Sequence, residues 1–287
     1  MIWSNNLLFD LKKKYFDELK LQFGENEAYQ LLNVLTKHFF DLSRIQQSLN
    51  PNHRLNESEM LSLHMAVKKL KKNIPIQYIT GESEFRGMKF LVNDSVLIPR
   101  PETEELVELI LNSEGENGLK VLDIGTGSGC IAIALAKEMN NSEVFALDIS
   151  PEALRVAEEN ARFNNTNVTF IEGNILNYSH NNKGSFDIIV SNPPYVRVSE
   201  KSFMKANVLD YEPHLALFVE DKDPLKFYKA ILEYAYVGLK TGGRLYFEIN
   251  EKLGEDVANL LAIYNYSEIL VRKDINDKQR IVSGKRR

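Results

Sequence analysis

Asn192-Pro193-Pro194-Tyr195 is the stretch whose residue types point most directly to chemistry. Asn192 offers a side-chain carbonyl, Pro193 a backbone carbonyl with no competing N–H, and Tyr195 a flat ring. Two fixed acceptors of this kind can hold both hydrogens of a planar amino or amide nitrogen. Consecutive prolines neither extend a strand nor continue a helix, so the chain must turn after the apolar run 186–190. Open α/β sheets hold their ligands at that end of a strand. An ordinary proline turn closing a strand fits the same four residues.

A second group lies upstream. Asp123 precedes the loop Gly125-Thr126-Gly127-Ser128-Gly129, set between a strand pattern and a helix pattern that opens at Cys130. Glycines there let the backbone approach a ligand closely. Taken alone, the loop is equally at home in nicotinamide-binding enzymes, although its spacing lacks the third glycine of the dinucleotide pattern. Asp148 follows about two dozen residues later at the end of the next strand, where such folds set an acid against ribose hydroxyls. Capping the helix that opens at Pro151 would explain Asp148 by itself. Neither carboxylate favours a phosphate neighbour, so the pair suits an adenosine ligand with a positive charge or amino-acid tail better than a pyrophosphate. Arg100, fixed between Pro99 and Pro101, points to an anion or a carboxylate.

The elements that must hold these residues follow from periodicity. From residue 119 onward strand and helix alternate, the pattern of a doubly wound sheet. Strands are predicted at 120–124, 143–147, 168–171, 187–190 and 244–249, and helices at 130–139, 151–163, 224–238 and 254–263. Residues 267–272 and 280–283 read as antiparallel strands at a sheet edge. Before residue 75 the apolar spacing is helical in several short runs, as in a small bundle. Asn56-Glu57-Ser58-Glu59 looks like a capped helix start. Lys68-Lys69-Leu70-Lys71-Lys72 reads as a solvated helix end, with a partner-facing patch as the alternative. Between 75 and 92 the period changes, and Gln77-Tyr78-Ile79, Glu84-Phe85 and 88–92 read as short strands. The expected division is a helical domain at 1–74, a β-hairpin linker at 75–95 and a ligand-binding α/β domain at 96–287. Residues 164–167 and 180–184 read as polar surface loops.

With 287 residues, 44% of them hydrophobic, the chain is large enough for two cores. A formal net charge of -5 disfavours a protein that grips nucleic acid mainly by charge. Cys130 is the only cysteine, which excludes an intrachain disulfide and a multi-cysteine zinc site. It reads as a small core residue. His38, His53, His64, His180 and His214 show no ligand spacing, so no metal is expected. Without a secretory leader or a long apolar run, a cytoplasmic chain that does not enter a membrane is expected.

Further stretches carry a family resemblance: Pro75-Ile76-Gln77-Tyr78-Ile79-Thr80-Gly81, Glu84-Phe85, residues 97–105, Glu212-Pro213 with Ala216-Leu217, and Asp274 with Arg280. With the glycine loop and Asn192 to Tyr195, they make the chain resemble the class I S-adenosylmethionine-dependent methyltransferases. Within these it is similar to the protein-(glutamine-N5) methyltransferases of peptide chain release factors, the PrmC (HemK) family. The resemblance spans nearly the whole chain.

What the resemblance implies is a Rossmann-like, doubly wound α/β methyltransferase sheet with an antiparallel edge, preceded by an N-terminal helical bundle that docks the substrate. S-adenosylmethionine would be the methyl donor and S-adenosylhomocysteine the product. Asp123 and the loop Gly125, Thr126, Gly127, Ser128 and Gly129 would hold its methionine end, Asp148 its ribose, and Asn174 with Ile175 its adenine. Ile149, Arg100 and Asn192 would also lie on the cofactor side. Asn192, Pro193 and Tyr195 would be catalytic, with Pro194 and Tyr195 packing the substrate amide. The family tends to have aspartate where Asn174 stands; an amide carbonyl can still accept from adenine's amino group. Asp221-Lys222-Asp223-Pro224 and Asn250-Glu251-Lys252 also depart from the usual pattern. The implied partner is a release factor, with no direct nucleic acid required and a monomeric enzyme. Two rivals remain at this stage: a nucleic-acid methyltransferase acting on an exocyclic amino group, and a module that binds cofactor or release factor without turnover.

Overall fold

The computed structural model describes residues 5–115, 118–177 and 184–287. All of the expected 180–184 loop except Gly184 therefore lies outside the described residues. The chain divides into two compact units, one comprising the residues up to Gly81 with Ala206–Tyr211, the other Glu82–Lys205 with Glu212–Arg287.

The first unit is helical: α1 (Leu8–Phe23), α2 (Glu25–Phe40), α3 (Arg44–Leu49), α4 (Glu57–Leu70) and α5 (Ile76–Thr80). Leu8, Leu11, Tyr15 and Leu19 of α1 recur at three- and four-residue intervals and bury one stripe against Leu32, Leu35, Leu63 and Val67. Helix α4 starts at a reciprocal cap, with Glu59 N donating to Asn56 Oδ1 at 2.9 Å and Asn56 N donating to Glu59 Oε2 at 2.8 Å. Lys68 and Lys69 occupy its last turn, where cations favour the helix dipole.

Helix α5 corrects the strand reading of Gln77-Tyr78-Ile79. Pro75 caps it, and Ile79 N donates to the Pro75 carbonyl at 3.1 Å. Ile76 and Ile79 both pack on the helical core. Three residues apart, they can share a face in a helix, whereas alternation would turn them to opposite faces of a strand.

The second unit begins with a hairpin of β1 (Glu82–Phe85) and β2 (Met88–Leu91), whose Phe85 and Phe90 are fully buried. There follow α6 (Pro101–Glu114), β3 (Lys120–Ile124), α7 (Cys130–Glu138), β4 (Glu143–Asp148), α8 (Pro151–Phe163), β5 (Val168–Glu172) and β6 (Phe186–Ser191). Between β6 and the next long helix lie β7 (Val196–Arg197), α9 (Ala206–Tyr211, which belongs to the first unit), α10 (His214–Leu217) and β8 (Phe218–Val219). The chain closes with α11 (Lys226–Gly238), β9 (Leu239–Glu248), α12 (Gly254–Ile263), β10 (Tyr266–Lys273) and β11 (Gln279–Arg286).

The main sheet has the order β10-β11-β9-β6-β3-β4-β5. Strands β9, β6, β3, β4 and β5 are parallel, and β11 pairs antiparallel with both β9 and β10. This is the doubly wound sheet with an antiparallel edge. Alternate residues feed opposite faces: Val121, Ile188 and Val190 join a core with α6 and α7, and Leu122 and Ile189 join one with α11 and α12. Strand β9 starts five residues before the expected residue 244, across a register irregularity between Phe186 and Ile188.

From β3 the chain steps outward through β4 to β5, then crosses to β6 on the other side of β3. The carboxyl ends of β3 and β6 thus flank the switch point where such sheets open a crevice. Among the described residues no helix is long and apolar enough to cross a membrane.

Candidate active site

A cavity of about 610 Å³ opens at this switch point, a size suited to a nucleoside-bearing ligand. The loop after β3 forms its floor. Gly125 N and Thr126 N both donate to the Leu147 carbonyl, at 2.7 and 3.1 Å, which ties the loop to the end of β4. Gly127 has a φ of 56°, a left-handed conformation that side chains disfavour. Gly129 serves a different contact: a Cβ there would lie 2.9 Å from Ile133 Cδ1 and 3.1 Å from Ala157 Cβ, so its glycine brings α7 and α8 together. Beneath the loop, buried Asn160 donates to the Ser128 carbonyl at 2.9 Å and exchanges two hydrogen bonds with the backbone of Leu91.

Asp148 reaches the cavity. Its Oδ2 accepts from Gly127 N at 2.8 Å and its Oδ1 from Ser150 N at 2.9 Å, leaving lone pairs for a ligand's hydroxyls. Burial raises its pKa, opposed by these backbone bonds. The cap of α8 comes from Ser150, whose hydroxyl accepts from Ala153 N at 3.1 Å, so capping does not account for Asp148.

Asp123, near the end of β3, is fully buried and does not line the cavity. Its Oδ2 accepts from the Thr126 hydroxyl at 2.7 Å, which pins the loop from below. Burial pushes this carboxyl up to about 7, against the Thr126 hydrogen bond that favours the charged form.

Ile149, Asn174 and Ile175 also line the cavity. Asn174 Oδ1 accepts from Leu176 N at 3.0 Å in a local turn, with a second lone pair still available. Arg100 also borders the cavity, yet its guanidinium donates to Glu212 Oε1 at 2.6 Å. Glu212 is buried, and its Oε2 accepts from Ile98 N at 3.4 Å. The carboxylate expected opposite Arg100 is therefore one of the protein's own.

Asn192, Pro193 and Pro194 stand on the cavity wall at the end of β6. Asn192 Nδ2 donates to Thr103 Oγ1 at 3.3 Å, and its Oδ1 accepts no hydrogen bond among the described residues. The Thr103 hydroxyl donates in turn to Glu248 Oε2 at 2.7 Å. Tyr195 follows on the same loop: it is part-exposed, packs on the α11–α12 core, and donates its hydroxyl to Glu248 Oε1 at 3.0 Å. A phenol desolvated this far requires an acceptor, and burial drives its pKa well above the usual range. Tyr195 supports the loop from behind.

Thr103, Asn160 and Glu248 escaped the sequence reading. For Glu248 a signal existed: it is a lone carboxylate closing the apolar run Leu245-Tyr246-Phe247. Thr103 gave none, since a threonine near a helix start is ordinary.

Comparison with known proteins identifies the family. A family model described as "PrmC N-terminal domain" matches residues 16–81, and one described as "Methyltransferase domain" matches residues 115–274. The release factor glutamine methyltransferase of Flavobacterium psychrophilum is 46% identical over 280 residues, covering 96% of this chain and 98% of that protein. This chain belongs to the release factor glutamine methyltransferase family. The family's Bacteroides thetaiotaomicron member is 48% identical over 81% of this chain and 83% of its own. The crystal structure of a methyltransferase from Pyrococcus furiosus shares the fold, with a TM-score of 0.51 at 21% identity over 76% of this chain and 96% of that one. For a family of methyltransferases the cavity's donor set fits S-adenosylmethionine: a carboxylate at Asp148, a tight glycine loop, and the apolar side chains of Ile149 and Ile175.

Proposed function

We propose that this chain transfers a methyl group from S-adenosylmethionine to the side-chain amide nitrogen of the glutamine in the Gly-Gly-Gln motif of peptide chain release factors. One observation carries the chemistry: Asn192 has its amide nitrogen committed to Thr103, so its carbonyl oxygen remains as an acceptor on the wall shared with Asp148 and the glycine loop. S-adenosylmethionine supplies an electrophilic methyl group when bound. Asp148 would take its ribose, the glycine loop its methionine end, and Ile149, Asn174 and Ile175 its adenine.

An amide nitrogen is a poor nucleophile because its lone pair is delocalised into the carbonyl. Asn192 Oδ1 and the Pro193 carbonyl would accept its two hydrogens, fix the plane of the amide, and favour the positive charge that develops on nitrogen. Positioning carries the catalysis, and no general base is assigned. The proton leaves the product nitrogen after transfer.

The helical first unit docks the factor, in this reading, and a single chain suffices because the entire cavity wall comes from one unit. The net charge of -5 favours a protein substrate over nucleic acid. Incubation with methyl-labelled S-adenosylmethionine and either a release factor or DNA tests the proposal. Label on the factor's glutamine supports it, label in DNA would reassign the acceptor to an exocyclic amino group, and label in neither would reduce the chain to a binding module.

A further inference from the structure

Glu248 sets a carboxylate at the end of the apolar run Leu245-Tyr246-Phe247. It is 1% exposed, at the end of β9. Burying a charge is costly unless it is paired. Yet Glu248 forms no ion pair among the described residues, and nearby Arg280 is committed to Asp274 at 3.1 Å. What Glu248 does have is two hydroxyls, Thr103 on Oε2 at 2.7 Å and Tyr195 on Oε1 at 3.0 Å.

Direction matters in this chain of bonds. A threonine hydroxyl has one hydrogen. Thr103 Oγ1 gives that hydrogen to Glu248 Oε2, where burial raises the carboxyl's pKa and the Thr103 and Tyr195 hydrogen bonds favour its charged, accept-only form, so Oγ1 faces Asn192 as an acceptor. An acceptor there selects the Nδ2 side of the Asn192 amide, at 3.3 Å, and leaves Oδ1 for the cavity. If the Thr103 hydroxyl were released to donate toward Asn192, the amide would gain by rotating half a turn, and the cavity would meet a donor instead. Strand register supports the coupling: Ser191 of β6 pairs with Phe247 of β9, so Asn192 and Glu248 are each the next residue along parallel neighbours.

We infer that Glu248 is a positioning residue which, through the Thr103 hydroxyl, fixes which face of the Asn192 amide meets the acceptor nitrogen, and through the Tyr195 hydroxyl holds the loop that carries it. This deepens the reading of Asn192 given above and rests on it for the catalytic consequence. The orientation itself is independent of the substrate.

Thr103→Val keeps the shape and removes the relay, Thr103→Ser keeps the relay, and Glu248→Gln forces one of the two hydroxyls to meet an N–H donor. Thr103→Val and Glu248→Gln are expected to lower kcat by about 10- to 100-fold, as a misoriented contact does, with KM for the factor and cofactor affinity unchanged within about threefold. Thr103→Ser should recover kcat to within about threefold of the parent protein. Because Glu248→Gln removes a buried charge and can alter folding, Thr103→Val is the decisive variant.

The side-chain amide resonances of Asn192, recognised by their loss in Asn192→Ala, give a second readout that needs no activity. They should be distinct and slow to exchange in the parent and in Thr103→Ser, and shift in Thr103→Val and Glu248→Gln. Unchanged resonances with unchanged kcat in Thr103→Val would overturn the inference. A parent protein that methylates no release factor, with resonances that still respond, would remove the proposed function and leave the positioning role standing.

Discussion

Asn192→Ala removes one acceptor from the cavity wall together with the amide's hydrogen bond to Thr103, and leaves the contacts of Asp148 and the glycine loop, which are made elsewhere. Methyl transfer is expected to fall by about 100-fold or more while cofactor affinity stays within about threefold, measured by single-turnover transfer and by calorimetry. Normal turnover would end the two-acceptor mechanism. Asp123 leads to a separate outcome. Its carboxyl ordinarily titrates at 3.8 and in the folded chain at about 7, so between those values the folded state holds the proton more tightly. Stability therefore falls as pH rises through that window and is flat above it. Urea unfolding at about pH 5 and about pH 8 should show this loss in the parent and a smaller one in Asp123→Asn, which keeps an acceptor for Thr126. Parallel losses would mean that the Asp123 carboxyl is charged throughout. At this scale the residues legible in the sequence were those in short contiguous motifs, such as Asn192 and Gly125 to Gly129. Asp148 was legible through its fixed distance from the loop. Thr103 and Glu248 were not, because 145 positions separate two side chains whose only link is a hydrogen bond.

Among the elements, strands buried on both faces and bounded by glycine or proline were readable as continuous apolar runs, which is why β3 and β6 fall where the sequence put them. Helix α5 was not, since five residues are too few to display a helical period. The segment 196–219 offered no element reading: its strands are two residues long and its helices α9 and α10 only six and four. The glycine loop is also more than its glycines, because Asn160 of α8 fastens it and the end of β2 to one side chain. Asn160→Ala would leave one buried and two part-buried backbone groups without this partner, at a cost of about 2–4 kcal/mol in urea unfolding. Cofactor affinity should fall with it, as the Ser128 carbonyl is released. A stable variant that binds the cofactor normally would show that the loop holds its shape without α8.

For the molecule as a whole, the consequence lies in where the first unit ends. The sequence placed the boundary at residue 74, but Ile76 and Ile79 of α5 pack on the helical core, and that unit runs to Gly81. A chain cut to start at residue 73 would carry α5 without the core that buries these isoleucines; one cut to start at Glu82 begins with the hairpin whose Phe85 and Phe90 belong to the α6–α7 core. Neither cut touches the cavity wall. The chain starting at Glu82 should therefore be the more soluble of the two, since exposed apolar side chains drive association. It should also bind S-adenosylmethionine within about threefold of the full chain, because all the donors stay in place. If the helical unit docks the release factor, the same truncation raises KM for the factor by about tenfold or more, the loss of roughly 1.4 kcal/mol or more of binding, with little change in cofactor binding. An unchanged KM in a truncated chain that still binds the cofactor would assign factor recognition to the catalytic unit alone, and the helical unit would need another role.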